Sequence, residues 1–294
     1  MNHIPEHFRK NIHPKDEKIQ FMENDHSYFV DGKKIKFSVS EIIKIHFPEF
    51  DSNHWSRIKA IEELESRGEL YVESDVVFEQ KVLLNQWEIK RKDSSEKGLI
   101  LHDLIEKFYN KEEIGSPPAE FSYFKEFISK YPKLKPYRTE WRVYNDELTL
   151  AGTIDMVYEK ENGDLFLFDW KRSTKIVNNA GLLIQSDFKY GFDQLSHVAD
   201  NSFNKYALQQ NLYKYILEEY YGKKISSMNL LVLHPNYHTF FHVPIPEMKK
   251  ETEFLINQSI EKSRLFRMVR TGGVELFSNR WMQNLGFPGC LLSK

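Results

Sequence analysis

Two aspartates and a lysine interrupt apolar segments near the middle of the chain. Asp155 lies in the segment GTIDMV, and Asp169 and Lys171 lie in the segment LFLFDWK. A charged side chain in a buried strand is costly unless a partner offsets its charge. A divalent cation held between the two carboxylates would be such a partner.

The number of residues between the two acids predicts how their strands pair. Side chains alternate along a strand, so Asp169 and Lys171 share a face. A two-residue turn at Asn162-Gly163 would point the two acids to opposite faces. A three-residue turn with Gly163 in the left-handed conformation would place Asp155 directly opposite Asp169, and we predict this register. The apolar face would then carry Ile154, Met156, Phe168 and Trp170.

The chemistry of this set is that of metal-assisted hydrolysis. Carboxylate oxygens favour Mg²⁺ or Mn²⁺, as one or two ions. A neighbouring lysine can stabilise charge on a phosphate or help a water molecule to lose its proton. Together they suit the attack of water on a phosphodiester. A surface hairpin with an Asp–Lys ion pair is the alternative, but it does not explain why the acids interrupt apolar segments.

The order of predicted elements defines the scaffold. A hairpin with an Asp31-Gly32 turn is predicted over residues 28–35. Helices are predicted at 40–46, 56–67, 76–92, 97–111, 119–130, 205–221 and 248–270, the last ended by Gly272-Gly273. Strands are predicted at 140–144, 149–159, 164–171, 228–233 and 239–243, with an irregular segment at 172–204. This order predicts an α/β fold with a mixed central sheet flanked by helices, preceded by an N-terminal helical lobe.

Composition excludes several classes of protein. The chain has 41 Lys plus Arg and 43 Asp plus Glu among 294 residues, so any nucleic-acid binding must depend on local patches. The single cysteine, Cys290, cannot form a disulfide framework or a four-cysteine zinc or iron–sulfur site. We find no P-loop, no long apolar run and no signal peptide. These features predict a cytoplasmic or nucleoid-associated protein without a membrane span.

Three motifs resemble those of a known family. The GTID segment that ends at Asp155 and, after 13 intervening residues, Asp169-Trp170-Lys171 resemble the PD-(D/E)xK nuclease superfamily. The helix with Gly98, His102 and Glu106 is similar to the G-x-x-x-H-x-x-x-E helix of its RecB-like exonuclease branch. The pair Gln209 and Tyr213 is similar to that branch's Q-x-x-x-Y helix. The motifs occur in family order over about residues 97–245, and the compact layout looks like phage or viral members.

The resemblance implies a restriction-endonuclease-like core and a role for each matched residue. The catalytic residues would be Asp155, Asp169 and Lys171, with Lys171 orienting the attacking water. The metal ligands would be His102, Asp155, Asp169 and the backbone carbonyl of Trp170, with Glu140 and Glu106 as possible additional acids. The DNA contacts would be Gln209, Tyr213, Tyr206, Arg172 and Lys175. Gln210 is a rival to Gln209, and a lone helical histidine such as His102 is by itself more often a surface or core residue.

The resemblance further implies a metal-dependent exonuclease without an iron–sulfur cluster. It would act on single-stranded DNA or DNA ends in replication, recombination or repair, with a helicase or recombinase as a possible partner. The alternatives are a structure- or sequence-specific endonuclease, a catalytically silent DNA-binding member and an RNA-directed enzyme. Aromatic residues of the helical lobe could stack on unpaired bases, although core packing is their more common role; they are Trp55, Trp87 and Tyr123.

We expect four segments along the chain. Residues 1–25 form a flexible N-terminus, and 26–96 form the hairpin and helical lobe. Residues 97–250 form the nuclease core. Residues 251–294 form a C-terminal helix and tail that pack on the core.

Overall fold

The structure is a computed structural model that describes residues 5–68, 70–185 and 188–270, without the side chains of 266–270. Its helices are α1 (Glu6–Lys10), α2 (Val39–Lys44), α3 (Ser52–Ser66), α4 (Glu73–Asn110), α5 (Ala119–Lys130), α6 (Ser202–Tyr221) and α7 (Lys249–Arg270). Its strands are β1 (Ile19–Met22), β2 (Ser27–Val30), β3 (Lys33–Lys34), β4 (Phe37–Ser38), β5 (Lys135–Tyr144), β6 (Leu150–Glu159), β7 (Leu165–Lys171), β8 (Ile225–Val232) and β9 (Phe241–Ile245). Within the described ranges, no helix has the length and apolar character needed to cross a membrane.

The central sheet is mixed, as predicted. Strands β5, β6 and β7 form an antiparallel meander, β7 and β8 run parallel, and β8 and β9 are antiparallel. The parallel pair is joined through α6, which packs on β8, β5 and β7. Because helices cover the sheet, its strands are buried and apolar. The predicted α/β fold with helices around a mixed sheet is therefore confirmed.

The hairpin of β6 and β7 has the predicted register. The N–H of Lys160 donates to the carbonyl of Asp164 at 3.0 Å, and Gly163 adopts a φ of +81°. Glycine meets this left-handed conformation without the Cβ clash that other residues suffer. Met156 pairs with Phe168, so one further step along both strands brings Asp155 opposite Asp169.

The two faces of the sheet bury different hydrophobic clusters, and one predicted assignment is wrong. Met156, Phe168 and Trp170 pack with the phenylalanines of α5, as expected. Ile154 instead packs with Val157 in the cluster on the α6 side. Side chains of a regular strand three residues apart would point to opposite faces, so the alternation of β6 changes phase near Asp155. The backbone of the facing strand is irregular at this level, since Glu140 has a φ of +44°.

The two helices predicted at 76–92 and 97–111 are one helix, α4, of 38 residues. The connecting residues 93–96, DSSE, contain no glycine or proline that would end a helix. An ion pair of 2.8 Å between Asp93 and Lys97 bridges the junction at i, i+4 spacing. The boundary predicted between lobe and core at 96/97 therefore falls inside a continuous helix.

The segment before β2, predicted to be flexible, carries α1 and β1 within its described residues 5–25. The carboxylate of Asp16 accepts hydrogen bonds from Arg138 at 2.6 Å and from the Trp141 indole at 2.9 Å. Arg138 and Trp141 are both buried in β5. A buried charge pair with these added hydrogen bonds fixes the segment to the sheet, which its polar composition could not show.

Other predicted elements agree with the structure to within a few residues. The turn between β2 and β3 has positive φ at Asp31 and Gly32, the geometry expected of an Asp-Gly hairpin. Helix α6 ends at Gly222, whose φ is +62°. Helix α7 packs on the core through Phe254, Leu255 and Ile256. The predicted stop at Gly272-Gly273 lies outside the described residues.

Candidate active site

Three carboxylates lie in a row across three neighbouring strands. Thr139 pairs with Met156 and Trp141 pairs with Ile154, so the residues between them, Glu140 and Asp155, face each other. Asp155 in turn faces Asp169 of β7 by the register given above. Carboxylates on adjacent strands lie close enough to repel each other when ionised. The three acids are Glu140 of β5, Asp155 of β6 and Asp169 of β7.

The sheet opens at the middle acid. Leu150 and Ala151 at the start of β6 pair with β4, whereas residues 156–159 at its end pair with β7. Since β5 occupies the other edge of β6, β4 and β7 share one edge and leave residues 152–155 between them. The Asp155 carboxylate lies at this opening and accepts the backbone N–H of Trp170 at 2.9 Å. The Asp155 side chain is partly exposed at this opening.

His102 of α4 reaches the same opening. Its Nε2 lies 2.9 Å from the carbonyl oxygen of Trp170, and its Nδ1 lies 3.6 Å from Oδ2 of Asp155. A carbonyl can only accept a hydrogen bond, so Nε2 carries a proton and Nδ1 is the nitrogen that can bind a metal ion. The backbone of Trp170 thus orients both Asp155 and His102. Its carbonyl, predicted as a metal ligand, accepts the histidine hydrogen bond in this arrangement, and its role as a ligand stays a prediction.

His102, Glu140 and Asp155 form a group that could hold a metal ion. Each offers one ligand atom, and these atoms lie within 4.8 Å of one another. All three side chains are partly buried. One imidazole nitrogen with two carboxylate oxygens is a donor set suited to Mn²⁺ or Mg²⁺. The donors therefore fit the predicted cation, and Asp169 lies beside them on β7.

The pKa values of two of the acids are raised in a way that favours cation binding. Burial, with repulsion from Asp155 and then Glu106, raises the pKa of Glu140 to about 9. Burial and the charge of Asp155 raise the pKa of Asp169 to about 6, although Lys171 opposes the shift. Carboxyls crowded in a low-dielectric site ionise readily only when a cation is close. A cation bound by these ligand atoms would stabilise the ionised forms of Glu140 and Asp169 and so lower their pKa values.

Lys171 is held next to the acids as an ammonium group. Its Nζ lies 2.5 Å from Oδ2 of Asp169 and 4.4 Å from the ring centre of Tyr206. Burial lowers the pKa of Lys171, but the attraction of Asp169 and Asp155 outweighs it and the pKa rises above its usual value. A lysine in this state donates hydrogen bonds and does not accept a proton.

Tyr213 of α6 packs against the glycine of the GTID segment. A Cβ atom built on Gly152 would lie 2.7 Å from the ring of Tyr213, closer than real contacts allow. Burial raises the pKa of Tyr213 well above its usual value, and the nearby Tyr28 and Asp155 add to this effect. The glycine is therefore needed for the close approach of α6 to β6 beside the acids.

The choice between Gln209 and Gln210 is a matter of burial. Gln209 is partly exposed, and its amide nitrogen lies 3.3 Å from the hydroxyl of Tyr213. Gln210 is fully buried. Gln209 is thus the glutamine that a ligand at the site could reach, and its predicted contact with DNA stays a prediction.

Other predicted residues lie around the site in different settings. Arg172 forms an ion pair of 2.5 Å with the buried Glu120 of α5, so its guanidinium is already engaged within the protein. Glu106 is partly buried near Glu140, and burial, followed by the charge of Asp103, raises its pKa. Lys175 is exposed. The predicted DNA-binding roles of Arg172 and Lys175 remain predictions.

Two residues near the site were not predicted. Glu120 fixes Arg172, and the hydroxyl of Tyr28 lies 2.9 Å from Oγ1 of Thr153 beside the opening. Tyr28 belongs to β2, 125 residues before Thr153. No local pattern around either residue distinguishes it from an ordinary helix or strand position.

Comparison with known proteins gives distant structural likenesses. No family model matches the chain, and no curated protein matches it. A solved structure from Eubacterium rectale, named "Putative exonuclease", is 11% identical over 61% of this chain and 69% of its own, with a TM-score of 0.36. The solved structure of SSO0001 is 10% identical over 78% of this chain and 76% of its own, with a TM-score of 0.30. At these TM-scores neither likeness bears on activity, so the functional argument depends on the geometry of the site.

Proposed function

We propose that this protein is a metal-dependent nuclease that hydrolyses phosphodiester bonds of DNA. The observation that supports this most directly is the row of three acids at an opening in the sheet, with one histidine and one charged lysine beside it. A binding module has no use for carboxylates that would repel a phosphate. A hydrolase needs them to hold a cation.

The residues of the site would have separate roles in holding a metal ion and in orienting its ligands. His102, Glu140 and Asp155 would hold the ion, with Asp169 adjacent. A bound Mg²⁺ or Mn²⁺ would supply Lewis-acid stabilisation of charge on the phosphate oxygens. The backbone of Trp170 keeps Asp155 and His102 oriented before substrate arrives, which lowers the cost of assembling the site.

Lys171 and Asp169 would act on the water and the phosphate. Lys171 is positively charged, so it orients water through a donated hydrogen bond or stabilises negative charge that develops on the phosphate. Asp169 would be the carboxylate that accepts a proton from the attacking water. The short contact between the two side chains keeps them in one arrangement. The site would therefore contain a carboxylate for the proton of the attacking water and positive groups for the charge on the phosphate.

The preferred form of this activity is an exonuclease that acts on single-stranded DNA or DNA ends in replication, recombination or repair. This preference comes from the motif resemblance. Gln209 and Tyr206 would contact the strand from α6, which lies beside the acids. Tyr213, predicted as a further contact, is buried against Gly152 and would instead hold Gln209 through the 3.3 Å contact of its hydroxyl. A helicase or recombinase partner and a phage or viral origin belong to the same proposal.

Cleavage of end-labelled DNA tests the proposal. Linear and closed-circular DNA, single-stranded and duplex, are incubated with the full chain in Mn²⁺, Mg²⁺ or chelator. We expect metal-dependent release of product from free ends. Lys171→Met should lower the rate by roughly 100-fold or more, since removal of one electrostatic group of this kind typically costs that much. Lys133→Met, at an exposed lysine outside the site, should retain the wild-type rate.

The remaining outcomes separate the alternatives. Cutting of closed circles would show an endonuclease. Binding of DNA without cleavage in any metal would show a catalytically silent protein. Full activity in chelator, or in the Lys171→Met variant, would refute the mechanism.

A further inference from the structure

A cleft of about 870 Å³ is formed by the segment that joins α2 to α3, the irregular segment after β7 and the start of α6. Its volume lies within the range of roughly 300–1,000 Å³ that small-ligand sites occupy. Its lining contains both aromatic and charged side chains. The cationic members are Lys44, Lys175, Lys189 and Lys205, and the aromatic members are Phe50, Trp55 and Phe188.

Two chain segments that line the cleft also carry residues of the candidate active site. Lys175 follows Lys171 by four residues along the same segment. Lys205 directly precedes Tyr206, whose ring centre lies 4.4 Å from Nζ of Lys171. The lining of the cleft therefore comes within four residues of Lys171 and one residue of Tyr206 along the chain.

The aromatic residues of the cleft are unusually accessible. Phe50 is 66% exposed, Trp55 is 37% exposed and Phe188 is 94% exposed. The ring of Phe50 lies 6.0 Å from that of Trp87, which extends the aromatic surface. Large rings placed in an open cleft, and not in the core, are typical of a binding surface for flat apolar groups.

The charges of the cleft favour an anionic occupant. Its lining contains four lysines against two acids, Glu49 and Asp200. Asp200 is already engaged by Lys205 at 2.5 Å. The balance that faces a ligand is therefore positive, as phosphates require.

We propose that this cleft binds single-stranded nucleic acid, with bases stacked on Trp55 and its aromatic neighbours and phosphates near the lysines. A cleft that combines exposed rings with cations suits a strand whose bases are unstacked and whose backbone is charged. A duplex keeps its base faces inside the helix and offers only phosphates to such a surface. This inference deepens the proposed nuclease function, on which it rests, by assigning the substrate a single-stranded tract.

Anisotropy of fluorescein-labelled oligothymidine, measured in chelator so that no cleavage occurs, tests the assignment. The same titration uses a labelled duplex of equal length. The variant Trp55→Ala/Phe188→Ala should bind the single strand more weakly by on the order of tenfold or more, because loss of one stacked base often costs that much. Its affinity for duplex should change by less than about twofold, since duplex binding depends on the phosphates.

Matched controls and a separate activity assay keep the outcomes distinct. Phe78→Ala removes a ring that is 67% exposed on α4 and outside the cleft lining, and it should bind as wild type does. Thermal unfolding verifies that each variant is folded. Wild-type affinity of the double variant for the single strand, or an equal loss for duplex, would overturn the assignment. Failure of the nuclease proposal would instead appear as intact, ring-dependent binding by a wild-type protein that cleaves nothing in Mn²⁺.

Discussion

Replacing Glu140 by glutamine should make the metal-free protein more stable while removing its activity. The pKa of this carboxyl is raised from 4.5 to about 9, first by burial and then by the charge of Asp155. At pH 7 the unfolded chain ionises Glu140 freely, whereas the folded chain must keep it protonated or bear the repulsion. Glutamine keeps nearly the same shape without this cost.

The size of the effect follows from the pKa shift. Neutral pH lies about 2.5 units above the ordinary pKa of 4.5, and the folded chain keeps Glu140 protonated over this interval. At ~1.4 kcal/mol per unit, keeping it protonated lowers the stability of the folded state by about 3 kcal/mol at pH 7. The coupling with Asp155 and the burial of the new amide reduce it, so we expect a gain of about 1–3 kcal/mol. For a chain of this size that corresponds to roughly 2–5 °C in the melting temperature.

The gain should depend on pH in a defined direction. A carboxyl with a raised folded pKa contributes its full stability below pH 4.5 and loses it as the pH rises towards 9. The advantage of Glu140→Gln in chelator should therefore be absent near pH 4 and grow through neutral pH. Saturating Mn²⁺ should reduce or reverse it, because the wild-type carboxylate then has its partner.

Differential scanning calorimetry in chelator and in Mn²⁺, at several pH values, measures these differences. Glu161→Gln, in the exposed turn between β6 and β7, is the matched control and should shift stability by less than about 0.5 kcal/mol. A Glu140→Gln variant that melts below wild type in chelator at pH 7 would refute the claim that this carboxyl is electrostatically strained.

Three further predictions concern packing, a buried ion pair and metal linkage. Gly152→Ala should cost about 1–3 kcal/mol in urea unfolding, because the new Cβ would meet the ring of Tyr213 at 2.7 Å, and a neutral result would contradict the close packing. Arg172→Ala should lower the free energy of unfolding by about 3–5 kcal/mol, because it leaves the buried Glu120 unpaired. The double variant Arg172→Met/Glu120→Leu should recover most of this loss. Equal losses in the two variants would argue against the ion pair. Mn²⁺ should raise the melting temperature more at pH 8 than at pH 6, since carboxylate and imidazole ligands must be deprotonated to bind, and a pH-independent increase would argue against these ligands.

Local chemistry made the centre of the site predictable. The turn at residues 161–163 determines the register of β6 and β7, because glycine alone accepts its left-handed conformation easily. Once that register is known, the apolar surroundings of Asp155 and Asp169 imply that the acids face each other. The contact between Asp169 and Lys171 follows from strand alternation.

Features that depend on distant residues could not be predicted in the same way. The partner of Arg172 lies 52 residues earlier in the chain, on α5. Ile154 faces the α6 side at the level where Glu140, on a neighbouring strand, has a positive φ. No residue near Ile154 in the sequence predicts this irregularity. The cleft combines side chains from three separate segments, and only Trp55 among its rings was singled out from the sequence.

The most direct test of the central claim is the position of manganese in a crystal of the full chain soaked in Mn²⁺, located by anomalous scattering. We predict a peak at roughly 2.0–2.3 Å from the ligand atoms of His102, Glu140 and Asp155, at the opening between β4 and β7. A peak elsewhere, or none at these residues under saturating Mn²⁺, would contradict the assignment of this site as a metal centre.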